Sequence, residues 1–103
     1  MEATYQILCK ANDLDEDQMI VVEIEGISIL VTKINGDFYA VENKCTHESL
    51  ALSGGQISEN QIHCPHHGAR FDLKTGKATQ FPAVVDLKSY SVKVENDNVL
   101  AAL

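Results

Sequence analysis

The sequence predicts an all-β domain, an antiparallel sandwich or barrel base with one irregular subdomain inserted from about Asn43 to Pro82. Three observations carry that expectation. Val- and Ile-rich runs of strand length recur along the chain, turn signals separate them, and no segment is long enough to insist on a helix. At 103 residues and 11.3 kDa the chain is near the commonest domain size, so residues 1–103 are expected to form a single domain.

The elements follow in order. Tyr5 to Lys10 reads as a first strand. Met19 to Ile24 and Ile27 to Ile34 are rich in β-branched residues, with Glu25-Gly26 as the turn between them. Asn35-Gly36 then precedes Asp37 to Val41, and Asn-Gly between two apolar runs is the strongest short hairpin signal. Lys74-Thr75-Gly76-Lys77 and Asn96-Asp97 mark two later hairpins. Val92 and Val94 alternate with Ser91, Lys93 and Glu95, which predicts one buried and one wet face. Asp13 to Gln18 has room for a helical turn and no more. Between Asn43 and Pro82 the β pattern lapses into poorly periodic sequence containing Gly54-Gly55 and Phe81-Pro82.

That irregular stretch carries the chemistry. Cys45-Thr46-His47 is followed, after sixteen intervening residues, by Cys64-Pro65-His66-His67-Gly68. Two thiolates and two imidazoles can close a four-ligand metal site, and their type suits either zinc or an iron–sulfur cluster. Spacing separates the two. Zinc fingers commonly pair cysteine with cysteine and histidine with histidine, whereas here each loop carries one of each. The interleaved order suits a [2Fe–2S] cluster with both cysteines on one iron and both histidines on the other.

These two loops, with Ala69-Arg70-Phe71-Asp72 and the stretch Leu73-Lys74-Thr75-Gly76-Lys77 after them, resemble the cluster loops of Rieske iron–sulfur proteins. The nearest resemblance within that family is to the small soluble ferredoxins of multicomponent aromatic-ring oxygenases, and it covers essentially the whole chain. It implies the Rieske fold, a β base bearing a cluster-binding subdomain at about residues 43–82. It implies one [2Fe–2S] cluster per chain, held by Cys45, His47, Cys64 and His67. His66 at the neighbouring position is an alternative that spacing leaves open, and the resemblance favours His67. His63 and His66 are otherwise ordinary side chains, and Cys9, remote from both loops, is a small buried hydrophobe. Phe81-Pro82 corresponds to the proline-bearing loop that shields the cluster in the family, or is a plain surface turn.

Departures from the respiratory-complex branch of the family are informative. There each loop holds a further cysteine, and the two form a disulfide; Leu50 and His66 occupy those positions here. That branch also places a serine and a tyrosine hydroxyl near cluster sulfur or a ligand thiolate, where this chain has Ala69 and Phe71. Hydrogen bonds to the sulfurs favour the more negative reduced state, so their loss lowers the potential, to roughly −150 mV at the low end of the Rieske range. Quinol oxidation is then excluded as a task.

The function implied is one-electron carriage from a NAD(P)H-dependent flavin reductase to a terminal oxygenase, in a chain that is not itself an enzyme. The alternative is a small Rieske subunit stably docked in a reductase such as an assimilatory nitrite reductase. A Rieske oxygenase needs a separate mononuclear iron held by two histidines and a carboxylate. All four histidines here lie in or beside the motif, which leaves none for it. A structural zinc domain is the remaining reading.

Leu50, Ala51, Pro65 and Pro82 frame the electron exit as a docking patch or only keep water from the cluster. The net charge of −7 argues against nucleic acid or an anionic membrane as partner. Its densest run, Asp13 to Asp17, is a solvated loop or steers towards a basic partner face. No signal peptide or apolar membrane span is evident, and an odd cysteine with no disulfide framework fits a reducing compartment. The expected location is the cytoplasm.

Overall fold

In a computed structural model, residues 4–44, 51–64, 69–80 and 86–103 are described. Their strands are β1 (Tyr5–Lys10), β2 (Met19–Ile24), β3 (Ile27–Ile34), β4 (Asp37–Glu42), β5 (Gln56–Ser58), β6 (Gln61–His63), β7 (Arg70–Asp72), β8 (Ala78–Gln80), β9 (Ser89–Tyr90), β10 (Val92–Glu95) and β11 (Asn98–Ala102). They form three antiparallel sheets, in the orders β1-β11-β10, β2-β3-β4-β9 and β5-β6-β7-β8. The all-β class and the first four strands are as the sequence predicts.

Turn chemistry explains the tight hairpins. Glu25-Gly26, Asn35-Gly36 and Asn96-Asp97 all have positive φ at both positions, as a type I′ turn requires. Glu16 reinforces the second of these, because its carboxylate accepts from the backbone N–H groups of Asn35 and Gly36. Asp13 accepts from the Lys10 N–H at 2.9 Å. Part of the acidic run is therefore structural. Its helical turn lies earlier than expected, as a 3-10 turn at Ala11–Asp13.

The second sheet is the middle layer. Ile29, Val31 and Ala40 pack with Leu8, Leu14 and Ala101 towards the first sheet. Leu30, Ile34 and Val41 pack with Ile62, Phe71 and Leu73 towards the third. Strand β3 is thus covered on both faces, which is why Ile29-Leu30-Val31 is an unbroken apolar run. The buried Thr32 hydroxyl donates to the Gln18 carbonyl at 2.8 Å. Full burial of a ring such as Phe71 contributes about 1.5–3 kcal/mol.

Two expectations need correction. Residues 43–82 do not abandon the β pattern, since β5 to β8 lie within them. Each of those strands has three residues, too short to display alternation, and the β5–β6 turn is Glu59-Asn60, a positive-φ pair without glycine. Val94 is 49% exposed instead of buried. It lies on β10, the edge strand of the first sheet, just before the Asn96-Asp97 turn. Among the described residues no helix is long and apolar enough to cross a membrane.

Candidate metal centre

The three segments flanking the motif loops converge on the core between the second and third sheets. That core contains Val41, Leu52, Cys64, Ala69 and Leu87 in one cluster with Phe71 and Ile62. Val41 and Leu52 flank the first loop, Cys64 and Ala69 flank the second, and Leu87 follows the segment that carries Phe81-Pro82.

Each segment is tied at its base. For the first loop, Asn43 Oδ1 accepts from the N–H groups of Leu52 and Ser53, at 2.9 and 3.0 Å. For the second, the β6–β7 pairing continues past His63 opposite Arg70 to a 2.7 Å bond from Cys64 N–H to the Ala69 carbonyl. For the third, Leu87 N–H donates to the Gly76 carbonyl at 2.6 Å, and Ala78 N–H to the Asp86 carboxylate at 2.8 Å.

Of the four expected ligands, Cys64 lies among the described residues. It is only 4% exposed and sits at the loop end of β6. Cys45, His47 and His67 lie outside the described residues, as do Leu50, Pro65, His66 and the Phe81-Pro82 pair. Ala51, the described member of the expected docking patch, is exposed. His63 is half-buried at the end of β6, paired with Gln56 and Arg70.

Cys9 is half-buried rather than fully buried and packs beside the other core cluster, on the far side of the second sheet. Burial, and secondarily the Asp13 carboxylate, push its thiol above the usual range, so it stays protonated at neutral pH. That position and protonation state are those of a packing residue.

Two glycines allow the close approaches on which the site depends. A Cβ on Gly55 would collide with the His63 carbonyl oxygen, one residue before Cys64. Gly76 has φ +80° and lies against the Leu87 carbonyl in the same way. Neither contact was legible in sequence, where Gly54-Gly55 reads only as a loop; the same holds for Asn43 and Asp86. A residue that bonds backbone groups some distance along the chain carries no periodic signal, beyond the general aptitude of Asn and Asp for such bonds.

Gly55→Ala is expected to push β6 away from the loop. A lowered melting temperature and a reduced iron content per chain, against unchanged values for Gly54→Ala at the exposed neighbour, are the outcomes that check this.

Of the expected donors, the described Cys64 is of the type and in the setting that a cluster ligand needs. Cys64 offers a sulfur donor from within apolar surroundings, and a cavity of about 270 Å³ beside it is lined by Gly54, Gly55, Gln56 and His63. Low-dielectric surroundings of this kind suit a thiolate-bound iron centre.

Comparison with known proteins agrees with this architecture. Residues 4–91 match the family model of the Rieske [2Fe–2S] domain. The ferredoxin component of the naphthalene 1,2-dioxygenase/salicylate 5-hydroxylase systems of Ralstonia sp. is 38% identical over 89 residues, 86% of each chain. The ferredoxin component of biphenyl 2,3-dioxygenase from Rhodococcus jostii (strain RHA1) is 38% identical over 96 residues, 93% of this chain and 90% of that one. Among solved structures, a chain in the complex of reduced oxygenase and oxidised ferredoxin of carbazole 1,9a-dioxygenase superposes with a TM-score of 0.91. It is 30% identical, and the match covers 98% of this chain and 94% of that one.

Proposed function

We propose, from the premise that this chain belongs to the Rieske [2Fe–2S] domain family, that it carries single electrons to a terminal oxygenase of the aromatic-ring class. The electrons come from a NAD(P)H-dependent flavin reductase, and the chain catalyses no reaction of its own. The observation that carries the reading is the convergence of three tied segments on the buried Cys64, in a chain whose relatives at 38% identity are named ferredoxin components of dioxygenase systems. Those names also favour the carrier over a permanently docked reductase subunit.

When bound, the cluster supplies a one-electron store at low potential. Cys45 and Cys64 would hold one iron and His47 and His67 the other, with residues of about 43–82 as the cluster-binding part of a single domain. Leu52, Ala69, Phe71 and Leu87, all buried in the cluster around Cys64, keep water from the cysteine side. The likeness to the family implies that the electron would leave by way of the histidine-held iron. The β base holds the loops in register and takes no part in transfer. A reducing cytoplasm is the compartment in which such thiolates and an unpaired Cys9 persist.

The test is reconstitution with a purified flavin reductase and an aromatic-ring oxygenase, following cluster oxidation by stopped-flow absorbance. Rapid reduction by the reductase and re-oxidation by the oxygenase are expected. Leu50→Glu is expected to slow the second step about tenfold, the effect of about 1.4 kcal/mol in an apolar contact, with an unchanged visible spectrum. A fully loaded protein that no such oxygenase re-oxidises overturns the assignment, and loss of the spectrum in Leu50→Glu shows that residue 50 only shields the cluster.

A further inference from the structure

We propose that Asn43 is the positioning residue of the first ligand loop, joining the loop's two ends to each other and to the β base, and so setting where Cys45 and His47 stand. The inference rests on the reading of those two residues as ligands.

Four hydrogen bonds meet at this one residue. Its backbone N–H donates to the Ser28 carbonyl at 3.0 Å, and its Nδ2 donates to Ser28 Oγ at 3.2 Å. Its Oδ1 accepts from Leu52 N–H at 2.9 Å and from Ser53 N–H at 3.0 Å. The first pair anchors Asn43 to β3, where Ser28 is itself paired with Glu23 of β2. The second pair draws in backbone nine and ten residues along the chain. Leu52, held in this way, is fully buried in the cluster that contains Cys64. A single side chain therefore sets the span of the first loop and its distance from the base of the second.

Asparagine supplies both halves of the arrangement, and the acceptor Oδ1 is the half that joins the loop's ends. Asp keeps the acceptor and loses the Nδ2 donor, Gln is one methylene too long, and Ala or Ser cannot reach the Leu52 and Ser53 amides. Cluster ligands are presented to best effect when groups behind them are fixed by rigid elements, and here the rigid element is the central sheet.

The test compares the cluster-loaded wild type with Asn43→Ala, Asn43→Asp, Asn43→Ser and Cys45→Ala, using two readouts. One is the rate at which visible absorption bleaches under a ferrous chelator, and the other is the line shape of the dithionite-reduced EPR signal. Asn43→Ala is expected to bleach about tenfold faster or more and to give a broadened signal, with the far-UV circular dichroism unchanged. Asn43→Asp, which retains the acceptor for both amides, is expected to stay close to wild type.

An unchanged bleaching rate and line shape in Asn43→Ala overturn the proposal if Cys45→Ala is colourless. If Cys45→Ala keeps its cluster, the ligand assignment itself fails, and the positioning role fails with it. Should Asn43→Ala not fold, Asn43→Ser decides: faster bleaching supports the role, and a wild-type rate overturns it.

Discussion

Cys64→Ala is expected to yield a colourless protein with almost no bound iron, while the β base still folds. The reason lies in the position of this cysteine. It is buried at the end of β6 in the cluster where Leu52, Ala69 and Leu87 meet. Alanine there keeps the backbone bond from residue 64 to Ala69 and removes only the sulfur.

The second and first sheets, with their own core of Ile29, Val31, Ala40 and Ala101, do not depend on that sulfur. Metal-binding free energy that appears only in the folded state is also folding free energy, so the variant should melt at a lower temperature than the loaded protein. Iron and acid-labile sulfide assays with circular dichroism check both halves. A variant that stays coloured with full iron content contradicts the role of Cys64.

The double substitution Ala69→Ser with Phe71→Tyr is expected to raise the reduction potential. Both native side chains are fully buried and neither carries a hydrogen-bond donor. In the respiratory-complex branch of the family, from which this chain departs here, a serine and a tyrosine hydroxyl lie near cluster sulfur or a ligand thiolate. A donor stabilises the more negative reduced state, so the sign of the shift is upward. Only the part of the bond that strengthens on reduction moves the potential, so the about 1.5–3 kcal/mol of a hydrogen bond to a charged group sets an upper limit of about 60–130 mV for each bond formed.

Voltammetry of the loaded protein reads the shift. An unchanged or lowered potential, with the cluster intact, contradicts the view that the missing hydroxyls keep the potential low.

Much of the β base was legible because its strands are long and its turns follow simple rules. Ile27 to Ile34 reads as a strand from its Val- and Ile-rich run and Asn35-Gly36 as a hairpin turn, and the structure has a strand at Ile27–Ile34 and positive φ at both turn residues. The third sheet was less visible. Its strands of three residues show no period, and Glu59-Asn60 turns the chain without the glycine that usually signals such a turn. Val94 was misread for another reason: alternation identifies the two faces of a strand but does not ensure that a neighbour covers each face, and β10 is an edge.

At the site, the motif that marks the Rieske [2Fe–2S] family was legible, since cysteines and histidines at fixed spacing are local information. Its supports were not. Asn43, Gly55, Gly76 and Asp86 act through contacts with backbone that is remote in sequence or on a neighbouring strand.

The most direct test of the central claim is a visible absorption and EPR spectrum of anaerobically prepared protein, oxidised and then reduced with dithionite. A coloured oxidised form, and a rhombic reduced signal with average g below the free-electron value, are predicted for one cluster with two cysteine and two histidine ligands. A colourless, EPR-silent protein with stoichiometric zinc would contradict that prediction and make the chain a structural zinc domain on a Rieske scaffold.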